Sequence, residues 1–87
     1  MRLDKYLKVS RVIKRRTVAK DILDLGFVKL NDRVAKPSSE VNEGDVIELK
    51  LGERLYTIKV LAVKEYAKKE QGGEMYEVIS DKTINLD

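Results

Sequence analysis

The sequence predicts an α+β domain in which small N-terminal helices pack on a short antiparallel β-sheet. Three observations carry that prediction. Apolar residues recur at helical spacing as far as Leu25 and at strand spacing beyond Gly26, so the period changes once. The order is helices first and strands after, the pattern of an α+β domain. The chain has 87 residues, 43% of them hydrophobic, enough for one lean core and no second one.

Leu3 and Leu7 stand four residues apart and share one face of a first short helix. Asp4 and Lys8 have the same spacing, with the acid on the N-terminal side, the better orientation. Ser10 breaks the pattern, and Val12 and Ile13 form an apolar pair before Lys14, Arg15 and Arg16. A second helix is expected to begin near Thr17, whose hydroxyl could cap it. Val18, Ile22 and Leu25 then form a core stripe, widened by Ala19 and Leu23, while Arg16, Lys20 and Asp24 occupy another flank. Gly26 is the stop, because glycine enters the left-handed cap conformation without a Cβ penalty.

Beyond Gly26, "FVKL", "ND" and "RVAK" read as two short strands around a tight turn, since Asn and Asp tolerate positive φ. Phe27 and Val28 are expected in the core. Pro37, Ser38 and Ser39 form a loop, and "NEGD" at 42–45 forms a second turn. In "VIELKL", Ile47, Leu49 and Leu51 fall on one face and Glu48 and Lys50 on the other. "GE" turns the chain again, residues 54–63 form a long strand, 64–74 a polar mobile loop and 75–79 a last strand.

Composition narrows the chemistry. There is no cysteine, so disulfides and thiolate nucleophiles are excluded. Histidine is absent too, which removes the usual general base near neutral pH. The carboxylates are scattered singly, and no phosphate-cradling glycine spacing occurs. A non-catalytic protein with no cofactor and no metal is expected. No apolar run approaches the ~20 residues of a membrane helix, and no signal-peptide pattern opens the chain, so the expected location is the cytoplasm, away from membranes.

Charge supplies the positive signal. Residues 1–36 carry eleven Lys or Arg against four Asp, a net +7, whereas residues 37–87 carry seven against eleven acids, a net −4. Eight of the cations crowd into residues 2–20: Arg2, Lys5, Lys8, Arg11, Lys14, Arg15, Arg16 and Lys20, with Asp4 as the sole acid. An uneven split of this kind predicts one cationic face and one ordinary solvated face. Arg grips phosphate oxygens through a planar fork and Lys as a point charge, so a polyanion is the expected partner of these eight residues. Aromatic residues make up 6% of the chain, too few for a row of stacking platforms. Folded RNA read through backbone and shape fits better, although charge alone does not separate RNA from DNA.

"RLDKYL", "KRRTVAKDILDLGFVKLND" and "KPSSEVNEGDVIEL" together resemble the RNA-binding domain named after ribosomal small-subunit protein four, also called the alpha-L motif. The positions that carry the resemblance are Arg2-Leu3-Asp4, Arg16 and Ala19, Gly26, Val28, Asn31 and Gly44-Asp45. Two positions depart from the pattern: Asp32 stands where glycine is commoner, and Arg15 where serine is frequent. The resemblance implies an alpha-L RNA-binding fold over residues 1–50, completed by strands in 51–80 and followed by a tail at 81–87. It ranks Arg16 first among the RNA contacts; Asp4, an acid that cannot attract phosphate, is expected to orient Arg2 or Lys8 or to take part in helix capping.

No enzyme is expected beside the motif. Beyond residue 50 the chain is similar to small ribosome-associated members of that family, among them the fifteen-kilodalton heat-shock proteins. That similarity implies a monomer binding the ribosomal RNA of a large ribosomal subunit that still carries peptidyl-tRNA. It also implies a role in ribosome-associated quality control beside a factor that tails the stalled nascent chain. The alternatives are a general chaperone of ribosomal and transfer RNA, a ribosome assembly factor, or a protein–protein adaptor.

Overall fold

A computed structural model of the chain describes residues 1–64 and 75–83. Helices α1 (Leu3–Val9) and α2 (Arg16–Asp24) precede five strands: β1 (Val28–Leu30), β2 (Arg33–Val34), β3 (Val46–Leu51), β4 (Arg54–Val60) and β5 (Tyr76–Thr83). The strands form one antiparallel sheet in the order β2-β1-β3-β4-β5. The expected α+β class holds.

Turn chemistry sets the sheet. Asn31 and Asp32 both take positive φ, +51° and +68°, so β1 and β2 close through a two-residue turn of the type whose twist matches paired strands. Asp32 therefore adopts the conformation that glycine would adopt there. The Asn31 side chain then staples this hairpin to the next turn. Its Nδ2 donates to Asp45 Oδ1 at 3.1 Å, and its Oδ1 accepts from the Val46 amide at 2.9 Å. Asp45 in turn accepts from the Asn42 amide at 2.8 Å, which closes the "NEGD" turn.

The core lies between the helices and one face of the sheet. Leu3, Tyr6 and Leu7 of α1 and Ala19 and Leu23 of α2 meet Val28, Ile47, Leu49, Ile58, Val60 and Met75. Register explains the strand contribution. Ile47 pairs with Ile58 and Val28 with Leu49, so the inward positions align across three strands.

Several local expectations are corrected. Helix α2 begins at Arg16, with Arg15 as an extended N-cap that makes no side-chain cap bond; Thr17 is already inside the helix and cannot cap it. The buried stripe of α2 is Ala19 and Leu23, while Val18 is exposed and Leu25 is 65% exposed. A nine-residue helix packed on one neighbour buries a narrow stripe, and Leu25 is its C-cap, beyond the last helical turn. Phe27 is not core: Val28 turns inward, so strand alternation sends Phe27 outward, 41% exposed. Strand β4 stops at Val60 rather than residue 63, and β5 continues to Thr83, three residues into the segment expected as a tail. Most of the expected loop at 64–74 lies outside the described residues.

Gly26 does end α2. At φ +80° its amide donates to the Leu23 carbonyl, and the Phe27 amide donates to that of Ile22, the paired bonds of a Schellman cap.

Candidate nucleic-acid interface

The N-terminal strip is anchored before α1 begins. The Leu3 amide donates to the Ser39 carbonyl at 2.8 Å, and the Val41 amide to that of Met1 at 2.9 Å. Arg2 and Glu40 form an isolated antiparallel bridge, and the Met1 ammonium meets Glu40 at 2.7 Å. These contacts fix the backbone of Arg2 against the loop that follows β2.

Asp4 then organises the site. It is 3% exposed and lies one residue into α1, between two arginines from different elements. Arg2 reaches it with both arms of its fork, Nε to Oδ1 at 3.3 Å and Nη2 to Oδ2 at 3.3 Å. Arg16, the first residue of α2, places Nη2 at 3.4 Å from Oδ1. The Lys5 amide donates to the same Oδ1 at 2.8 Å. The two arginine side chains remain about half exposed, 53% and 48%. A guanidinium carries five N–H donors, and Arg2 and Arg16 use only part of theirs on Asp4. The remainder are left over on two side chains that one buried carboxylate brings together. The expectation that Asp4 orients Arg2 agrees with this geometry, which adds Arg16 to the same carboxylate; Lys8 is not among its partners.

The other six candidates distribute around this clamp. Lys20 lies one turn beyond Arg16 on the same flank of α2. Lys8 is exposed in the last turn of α1, and Arg11, Lys14 and Arg15 are exposed on the connector between the helices. Lys5 is half-buried. Among the described residues, Lys8, Arg11, Lys14, Arg15 and Lys20 make no ion pair. Arg11 takes φ +65°, the left-handed region, directly after the α1 C-cap Ser10. Its amide donates to the Lys8 carbonyl, so it fills a position where glycine is usual.

Two residues escaped the sequence reading. Lys36 joins Arg2 and Lys20 around a cleft of about 520 Å³ between α2 and the segment after β2. Its charge was legible, but its place depends on the Arg2–Glu40 bridge, a pairing across 38 positions. Phe27 stands exposed on the opposite face, with Lys50 Nζ 5.6 Å from its ring centroid. The alternation around Val28 was the signal that could have found it.

Apart from this edge, the described residues offer little chemistry. They contain no group of acids able to hold a metal ion. None of their helices is long and apolar enough to cross a membrane. Tyr6 is fully buried and its hydroxyl donates to the Met75 carbonyl at 2.7 Å; burial pushes the phenol well above its ordinary value of 10.0.

Known proteins resemble this chain along most of its length. The S4 domain profile matches residues 1–47. A protein of Streptococcus pneumoniae named RQC P-site tRNA stabilizing factor is 50% identical over 84 residues, covering 97% of this chain and 96% of its own. The Bacillus subtilis protein of the same name is 44% identical, covering 97% and 98%. Among solved structures, the trimeric heat shock protein 15 of Vibrio cholerae superposes with a TM-score of 0.84 at 30% identity, over 92% of this chain and 82% of its own. These relatives are named for stabilising a tRNA or for heat shock, none for a reaction. A domain match over more than half of the chain, together with near end-to-end identity to those factors, shows that the chain belongs to the S4 domain family.

Proposed function

We propose that this chain is a non-catalytic RNA-binding protein of ribosome-associated quality control. It binds a large ribosomal subunit that carries peptidyl-tRNA and supports C-terminal tailing of the stalled nascent chain by a second factor on the same particle. Ribosomal RNA and the tRNA meet the edge formed by Arg2, Lys5, Lys8, Arg11, Lys14, Arg15, Arg16 and Lys20. A monomer is the working unit, in the cytoplasm.

The observation that carries this reading is the Asp4 clamp, which holds Arg2 and Arg16 side by side with donors to spare. Ordering an arginine on binding costs side-chain entropy, and a fork already held in place avoids part of that cost. With it on α1, α2 and their connector are five exposed cations without acidic partners among the described residues, an arrangement suited to a run of phosphates. The names of the relatives from S. pneumoniae and B. subtilis supply the particular RNA and process.

Co-sedimentation at near-physiological salt tests the reading. Empty large subunits are compared with subunits holding peptidyl-tRNA, using the wild-type chain and Arg16→Ala. Wild type is expected to pellet selectively with the tRNA-bearing particle, and Arg16→Ala to remain in the supernatant. Equal pelleting with both particles would reduce the function to general ribosomal RNA binding. Pelleting with neither would overturn it in favour of a protein partner.

A further inference from the structure

Phosphates alone do not account for the cleft between α2 and the segment after β2. Three cations line it, Arg2, Lys20 and Lys36. Apolar groups line it as well: Val34 and Pro37 are among them, and Val34 is 64% exposed although it sits in a strand. An apolar side chain held open to water beside three cations gains nothing from a phosphate backbone, which approaches through charge and stays hydrated. It gains from a flat, weakly polar group that covers it. A nucleotide has both parts, an anionic phosphate and a base with an apolar face. At about 520 Å³ the cleft has room for one. Asp24 is the sole acid on the lining, suited to accept a hydrogen bond from an exocyclic amine of a base and unsuited to meet a phosphate.

We infer that this cleft takes a single nucleotide extruded from an RNA helix. The base lies against Val34 and Pro37, and its phosphate is held by Arg2, Lys20 and Lys36. The inference rests on the RNA-binding reading and refines it: the cationic edge follows a helix backbone, and the cleft reads a place where that helix has an unpaired residue. RNA recognition commonly targets such residues, because an unstacked base exposes its face and its edges.

The test uses the full chain and three RNA hairpins of the same stem sequence. One is fully paired, one carries an unpaired adenosine in the stem, and one carries an abasic residue at that position. The wild-type chain is expected to bind the adenosine hairpin about tenfold more tightly than the other two, the gain from covering one valine-sized apolar surface. Val34→Ser is expected to lose that gain, and Arg16→Ala to weaken binding to all three. Equal affinity for the adenosine and paired hairpins would overturn the inference and leave the RNA-binding reading standing. An abasic hairpin as good as the adenosine one would overturn it as well, because backbone shape and not a base would then be recognised. Failure to bind any hairpin would remove both the inference and the reading beneath it.

Discussion

Asp4 is an acid at the centre of a cationic edge, and its removal is expected to weaken anion binding. Counting charge gives the opposite expectation, since Asp4→Asn raises the net charge from +3 by one. Position outweighs count here. The buried carboxylate holds the forks of both Arg2 and Arg16, and an amide can bond them only weakly and in one orientation. Freed, each arginine must be ordered again when RNA binds, at about 0.5–1.5 kcal/mol per side chain. A loss of roughly fivefold or more in affinity for a paired RNA hairpin is expected, read by filter binding in one buffer, with thermal melting confirming that the variant is folded. An affinity gain would mean that charge number alone governs the edge. Arg11 shows the converse tension between charge and conformation. It carries a cation in the left-handed region, where a non-glycine residue costs of order 1 kcal/mol.

Elements were legible in the sequence wherever a local signal marked their ends. Gly26 and the Asn31-Asp32 turn announce where α2 stops and where β1 meets β2, and both act in the structure as their chemistry requires. The direction in which an element faces was less legible. Periodicity gives the stripes of α2 but not which stripe α1 covers, so the small Ala19 was ranked below Val18. The cleft was less legible still, because Arg2 joins Lys20, Val34 and Lys36 through a long-range bridge of the N-terminal strip to Glu40. A contact of the same long-range kind joins α1 to the start of β5, the Tyr6 hydroxyl on the Met75 carbonyl, 69 positions apart. Tyr6→Phe removes one of three donors to that carbonyl, which keeps the Leu61 and Ala62 amides, and is expected to cost about 0.5–1.5 kcal/mol in urea unfolding. The phenol must also stay neutral to remain buried. Its folded pKa is raised above 10.0, so its contribution is complete below that pH and declines as pH rises past it toward the folded value. Unfolding curves at pH about 8 and about 11 should therefore show a smaller alkaline loss in Tyr6→Phe than in wild type, which Tyr56, raised for the same reason, does not remove. An equal loss in both chains would place the alkaline sensitivity elsewhere.

Across the whole molecule, charge is divided by element. The net +7 of residues 1–36 lies on α1, α2, the β1–β2 hairpin and, for the larger part, the segments that flank and join them, while residues 37–87 carry −4. Two cations of the second group, Lys50 and Arg54, are engaged by side chains of this chain. Arg54 lies over the Tyr56 ring, its centre 4.9 Å from the centroid, and donates through Nε to Asp81 at 2.6 Å. That arginine holds the Asp81 carboxyl below its ordinary value of 3.8. Arg54 is satisfied by its two bonds to Asp81 and releases few counterions on binding, whereas the edge cations, Arg16 with the donors that Asp4 leaves over among them, release theirs when they meet a phosphate. Four to six phosphate contacts would give a log–log slope of affinity against salt of roughly −3 to −5. Arg16→Ala is expected to flatten that slope by about one, the signature of a single phosphate contact. Arg54→Ala should leave it unchanged, although both substitutions remove the same formal charge. Filter binding of one RNA hairpin across a salt series measures all three chains. If Arg54→Ala flattens the slope as much as Arg16→Ala does, net charge and not the helical edge is what RNA senses. A slope near zero in the wild-type chain would remove electrostatic docking altogether.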